Sequence, residues 1–235
     1  TLYGISNNDE FGDAVDISLD GGIIAVGARE EDSVGLNNQS GSTYIYQFNG
    51  TSWLQLGQKI IGEASGDFSG HTVSLSSDGN ILAIGAPGSF GGTCYTKVYF
   101  WDGNTWIQRG QKINGEAVGD GCTGDFYFDV SLSNDGNILA IGAGGNDGNG
   151  IESGHVRIYQ YDGTSWIQLG QDIDGEASGD RSGVSVSLVS NGNVVAIGAM
   201  ENDGGGIQSG HVRIYQYDGI SWIQIGQDID GEFPI

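Results

Sequence analysis

Four copies of one unit of about 57 residues, eight Asp-Gly or Asn-Gly turns and no sustained helical period predict an all-β chain, a β-propeller of four four-stranded antiparallel blades. Ile-Gly-Ala recurs at residues 84–86, 141–143 and 197–199, with Val26-Gly27-Ala28 as the first copy, at spacings of 58, 57 and 56 residues. A tryptophan follows in each unit (Trp53, Trp106, Trp166 and Trp222). Each unit then closes on a Gly-Gln segment such as Gly170-Gln171-Asp172-Ile173-Asp174. The units run approximately over 5–62, 63–119, 120–178 and 179–235, so one repeat domain accounts for all 235 residues.

Each unit reads as four strands, sixteen in all. The first alternates, as in Val73-Ser74-Leu75-Ser76, which suits a strand with one face in a core. The second is a continuous apolar run such as Ile81-Leu82-Ala83-Ile84, expected of a strand covered on both faces. The third reads His155-Val156-Arg157-Ile158-Tyr159-Gln160-Tyr161, and the fourth begins at the tryptophan. Between strands one and two stand Asp20-Gly21, Asp78-Gly79, Asp135-Gly136 and Asn191-Gly192. Between three and four stand Asn49-Gly50, Asp102-Gly103, Asp162-Gly163 and Asp218-Gly219. Asn, Asp and Gly tolerate positive φ best, so each pair predicts a tight two-residue hairpin. Both hairpins of a blade lie on one side. The longer connections emerge on the other. A β-solenoid is the competing architecture, but its coils are shorter and lack paired hairpins.

Composition excludes several functions. With 30 Asp+Glu against 8 Lys+Arg, the formal charge of −22 repels a phosphate backbone and argues against nucleic-acid binding. No apolar run reaches the ~18 residues of a membrane span. The 5 Trp, 10 Tyr and 8 Phe are enough to build a core, which argues against disorder. The 44 Gly follow no period of three, which excludes collagen. Thr1-Leu2-Tyr3-Gly4 has neither an initiator Met nor a signal-peptide pattern, so the chain reads as a processed protein or an excerpt of a longer one. Acidity, scarce lysine, and sequons at Asn38 and Asn49 suit a secreted protein.

Phe11-Gly12-Asp13-Ala14-Val15 followed by Val26-Gly27-Ala28-Arg29 resembles the FG-GAP repeat of integrin α-subunit propellers. Unit two keeps Phe68 and Gly85-Ala86-Pro87, and the other two keep only Gly-Ala. The resemblance implies a propeller, usually of seven blades, that serves adhesion or ligand recognition outside the cell, often with calcium. This chain departs in two ways. It has four units, which could close alone, pair with another copy or belong to a longer array. The family's calcium loop between strands one and two is also reduced to turns such as Ser76-Ser77-Asp78-Gly79. One carboxylate cannot supply the six to eight oxygens that calcium takes.

Most acidic residues fall on the long-loop side, which reads either as a solvated face or as a place for cations. Calcium, if bound, is expected there in units three and four. The expected ligands are Asp147, Asn149 and Glu152 in one loop and Glu201 and Asp203 in the other, with Asp174 and Asp230 on the fourth strands. Units one and two carry Lys59 and Lys112 where the later units carry Asp172 and Asp228. The recurring tryptophans read as packing against adjacent blades. Trp101 stands outside that recurrence and is the freer candidate for a ligand. His71, His155 and His211 lie near strand starts with no ligand partner at metal spacing, and no serine sits in a nucleophile elbow. Cys94 and Cys122 lie in connections expected on the same side and are predicted to form a disulfide.

These observations predict an extracellular recognition, adhesion or assembly module with a protein or glycan partner and with self-association among its options. A glycan-binding propeller is the alternative. Nothing in the residue spacing points to catalysis, so the chain is expected not to be an enzyme.

Overall fold

The computed structural model describes residues 2, 4, 8–32, 39–88, 94–116 and 127–232. Among these every regular element is a strand, so no helix is long and apolar enough to cross a membrane. The first sheet holds β1 (Phe11–Ile17), β2 (Ile23–Ala28), β3 (Ser42–Phe48), β4 (Trp53–Gln55) and β5 (Ile60–Ile61). The second holds β6 (Thr72–Leu75), β7 (Ile81–Ala86), β8 (Tyr95–Trp101), β9 (Trp106–Gln108) and β10 (Ile113–Asn114). The third holds β11 (Phe128–Leu132), β12 (Ile138–Ala143), β13 (His155–Tyr161), β14 (Trp166–Gln168) and β15 (Ile173–Asp174). The fourth holds β16 (Ser182–Leu188), β17 (Val194–Ala199), β18 (His211–Tyr217), β19 (Trp222–Gln224) and β20 (Ile229–Asp230). Every pairing within a sheet is antiparallel and each sheet is a meander, giving the four blades of the expected β-propeller.

The fourth strand differs from expectation because it is broken. Its two halves, β4 and β5 in blade one, both pair with β3. The break falls at Gly57, Gly110, Gly170 and Gly226, all with positive φ, which glycine adopts without steric cost. In the first three blades the break receives the next blade: a Cβ on Gly110 or Gly170 would run into the ring of Trp166 or Trp222.

The hairpins also depart from the two-residue expectation. Only their glycines take positive φ, at 65–72° between strands one and two and at 95–103° between three and four. The acidic or amide side chain instead folds back on the turn. Asp20 Oδ1 accepts the Ser18 hydroxyl at 2.7 Å and the Gly22 N–H at 2.8 Å, while the Gly21 N–H donates to the Ser18 carbonyl. Asp162 Oδ1 accepts the N–H groups of Thr164 and Ser165, both at 2.8 Å. These Asx turns satisfy the donors of a longer loop through a side chain, so the backbone of Asp or Asn need not be strained.

The cores lie between blades. One apolar cluster joins Ile23, Ala25 and Ile45 of blade one to Leu75, Leu82 and Trp106 of blade two. Equivalent clusters fill the second and third joints. Small residues on the second strands permit this approach. A Cβ on Gly142 would overlap the Gly183 carbonyl oxygen of the next blade. Each incoming tryptophan donates its indole N–H to the preceding blade: Trp106 to Leu56 O at 2.9 Å, Trp166 to Arg109 O at 2.8 Å and Trp222 to Leu169 O at 2.7 Å. The first strands lie against one another along the inner edge. There Ser74 Oγ accepts the Leu132 N–H and Ser131 Oγ accepts the Leu188 N–H, both at 3.0 Å. The tryptophans are therefore packing residues, as expected from their place at the strand start.

Candidate functional site

Two three-residue groups of the same composition form at the long-loop ends of blades three and four. His155 opens β13 and pairs across the sheet with Asp174 of β15, which brings Asp172 alongside. Glu116 arrives from blade two, just beyond β10. His155 Nδ1 stands 3.8 Å from Glu116 Oε2 and 3.9 Å from Asp172 Oδ2. In blade four, His211 Nδ1 stands 4.0 Å from Glu176 Oε2 of blade three and 3.9 Å from Asp228 Oδ2. In each group one ligand atom per residue lies within 4.8 Å of the others. Among the described residues these are the groups with such geometry.

Both imidazoles are buried, whereas Glu116 and Glu176 are exposed. Burial, with the Arg157 charge beside it, holds the His155 pKa below its ordinary value and so keeps the ring neutral at pH 7. The Nδ1–carboxylate distances exceed hydrogen-bond length. A divalent ion with bonds of about 2.0–2.5 Å spreads its ligand atoms over such separations, and a neutral imidazole with two carboxylates is a ligand set for a divalent metal. Arg157 and Arg213 each place Nη1 3.5 Å from the glutamate. The His211 Nε2 has no hydrogen-bond partner among the described residues.

Blades one and two fill the same place with ion pairs. Glu63 bridges Lys97 at 2.5 Å and Lys112 at 2.6 Å, and hydrogen bonds from Lys112 and then Lys97 hold its pKa below the ordinary range. Lys59 pairs with Glu31 in blade one. The change from Lys59 and Lys112 to Asp172 and Asp228 therefore exchanges a bound ammonium for an extra carboxylate. Sequence spacing missed the two histidines because their carboxylates come from another strand and another blade. The available signal was the repeated His-Val-Arg-Ile-Tyr-Gln-Tyr together with that exchange.

The residues expected to hold calcium take other partners. Asp147 Oδ1 accepts the Glu152 N–H at 2.8 Å, and Asp203 Oδ1 accepts the Gln208 N–H at 2.7 Å. Asn149 Nδ2 donates to the carbonyls of Gly175 at 2.9 Å and Glu176 at 3.2 Å. Glu152 and Glu201 lie in different blades and flank Arg181, at 3.1 and 3.3 Å. Asp174 and Asp230 are exposed at the outer edge. The buried amides Asn146 and Asn202 tie down both loops, accepting the N–H of Gly148 at 2.7 Å and of Gly204 at 2.8 Å. Asn146 Nδ2 also reaches Glu116 Oε2 at 3.3 Å, linking the loop to the His155 group. The family's hairpin site does not fit calcium here. Each of Asp20, Asp78 and Asp135 is a single carboxylate already accepting a serine hydroxyl and a backbone N–H.

Trp101 lies in a blade joint, at the position of Phe48, Tyr161 and Tyr217. Its ring centre is 5.5 Å from that of Trp106, and it packs on Gly57. Cys94 is buried beside Ile113 and Phe128, and Cys122 lies outside the described residues.

The folded blades and their small-residue joints define the class, a β-propeller. A family model described as FG-GAP repeat matches residues 4–46, a stretch that includes β1, β2 and most of β3. No curated protein matches the chain. A candidate 6-phosphogluconolactonase from Bacteroides uniformis shares the fold at a TM-score of 0.58 and 12% identity, covering 93% of this chain and 55% of its own. Hydrazine synthase from Kuenenia stuttgartiensis does so at 0.55 and 15%, covering 90% and 53%. A Lactobacillus plantarum protein does so at 0.54 and 14%, covering 93% and 55%. The chain thus spans about half the length of these structures. They correct one expectation: the same architecture is found in a candidate lactonase and in hydrazine synthase, so the fold does not set this chain apart from catalysis. The physical reason is that a propeller gathers side chains from several blades at one face, so linear spacing cannot rule a reactive group out.

Proposed function

We infer that this chain is a recognition or adhesion module acting outside the cell. Its acidic long-loop face meets a partner with the help of a divalent cation. The observation that carries the reading is the repetition of Glu116–His155–Asp172 as Glu176–His211–Asp228, where the earlier blades hold lysine ion pairs. The FG-GAP repeat at 4–46 supports the extracellular setting by analogy. A cation there would offset the carboxylate repulsion and leave coordination positions open to an acidic or hydroxylated ligand.

Calorimetric titration with calcium and with zinc tests this. His155→Ala with His211→Ala is expected to abolish saturable binding, while Asp147→Ala with Asp203→Ala leaves it intact. The reverse pattern assigns the cation, as calcium, to the loops. No saturable binding of either metal to the parent overturns the cation-dependent reading. Protein and glycan arrays with and without EDTA then separate an adhesion partner from a sugar.

A further inference from the structure

The second joint departs from the other two in one residue. Leu56 and Leu169 pack beside the incoming tryptophan in the first and third joints, whereas Arg109 stands at that position in the second. Its guanidinium lies 4.1 Å from the centre of the Tyr161 ring. It donates to the Gly136 carbonyl at 2.5 Å and to Asn137 Oδ1 at 2.6 Å. Asn137 Nδ2 donates in turn to Asp135 Oδ2 at 2.8 Å, and Asp135 Oδ1 accepts the Ser133 hydroxyl at 2.7 Å. A continuous polar chain thus fixes a cation where the other joints carry leucine.

That chain forms one wall of a cleft of about 460 Å³, within the ~300–1,000 Å³ of small-molecule sites. β13 runs from His155 at its long-loop end to Tyr161 at its hairpin end, so the cleft lies on the face away from the histidine–carboxylate groups. Asp135, Asp162 and Asn191 line it from three hairpins of blades three and four, with Gln160 beside them. Several of these polar groups are uncommitted among the described residues. Thr164 and Ser165 bind Oδ1 of Asp162, which leaves Oδ2 as an acceptor. Asn191 Oδ1 accepts the Asn193 N–H at 3.2 Å, which leaves the Nδ2 donors. The exposed Gln160 carboxamide bonds to no other described residue.

The lining selects the class of ligand. An anion entering the cleft meets Asp135 and Asp162, and a cation meets Arg109, so a neutral molecule fits best. Guanidinium, carboxylate and carboxamide are planar groups with polar atoms side by side, suited to engaging neighbouring hydroxyls in pairs. Ile138 and Tyr161 add apolar surface for C–H groups. We propose that this cleft binds a neutral saccharide, whose hydroxyls are held by Arg109, Gln160, Asp162 and Asn191. It does so independently of any cation on the opposite face.

Binding of the full chain to immobilised neutral oligosaccharides of glucose, mannose, galactose and N-acetylglucosamine tests this, with uronate and sulfated chains alongside. EDTA is present throughout, so failure here is distinct from failure of the cation-dependent reading. Saturable binding to a neutral chain is expected. Arg109→Leu installs the residue with which the first and third joints already fold, and Asp162→Asn keeps the turn as Asn49 does. Each is expected to weaken binding about tenfold or more, as for one lost hydrogen bond to a charged group, with near-UV circular dichroism unchanged. Asp218→Asn, in the equivalent hairpin of blade four, is expected to leave binding unaltered. No binding to any neutral chain overturns the proposal. So does binding confined to uronate or sulfated chains, or binding that either cleft variant retains in full.

Discussion

The carbonyl oxygen of Gly70 lies where a side chain on Gly27 would begin. Gly70 belongs to the opening segment of the second unit and Gly27 to the Gly-Ala of the first. The two halves of the repeat motif therefore meet across a joint, one unit apart. That contact explains why the second strand ends on residues without bulk, and Gly142 and Gly183 repeat it.

Gly142→Ala is accordingly expected to wedge the third joint apart and destabilise the chain by about 1–3 kcal/mol, the range for forced overpacking. Thermal melts of Gly142→Ala and Gly27→Ala check it. Unchanged midpoints for both would show that the joint yields freely.

Trp166→Ala removes a side chain that is 2% exposed, together with its hydrogen bond to Arg109, and should cost about 3–5 kcal/mol. Trp166→Phe keeps most of the ring and loses the bond, at about 1 kcal/mol. Urea unfolding followed by tryptophan fluorescence distinguishes these. Equal losses would mean that the hydrogen bond outweighs the packing.

The hairpin carboxylates predict an acid dependence. N–H groups of Thr105 and Asn104 hold the Asp102 carboxyl below its usual range. Ser165 and Thr164 do so for Asp162, and Ser221 and Ile220 for Asp218. A depressed folded pKa gives stability that is fully present above the unfolded value of about 3.9 and is lost as pH falls through the folded one. Replacing all three by Asn, which already fills this role at position 49 through bonds of 2.9–3.0 Å, should keep the turns and flatten stability below about pH 4. An unchanged acid slope would assign acid sensitivity elsewhere.

Cys94 and Cys122 are expected to be oxidised to each other in secreted protein. Alkylation of unreduced chain followed by mass spectrometry should find no free thiol. Reduction should then lower stability by about 2–4 kcal/mol. Two alkylated cysteines would refute the pairing.

Blade count, strand order and joint packing were legible in the sequence because each depends on residues close together in one repeat. Alternation at Val73–Ser76 and the small residues at Gly85-Ala86 report local geometry directly. The break at Gly57 was not legible, since what fills it is an aromatic residue of another unit. The Glu116–His155–Asp172 group was hidden for the same reason: three elements in two blades converge on it. Asp20 and Asp162 were read for backbone tolerance when their side chains were making the turn.

Because the internal cores lie between consecutive blades, the four described blades behave as a row of coupled units, with stability approximated by four unit energies and three nearest-neighbour couplings. The two middle blades each share a core with a blade on either side. Amide exchange should be slowest in β7 and β12, each held from both sides, and faster in β2 and β17. A substitution in the middle joint would then cut the row into two pairs that unfold separately, turning one transition into two.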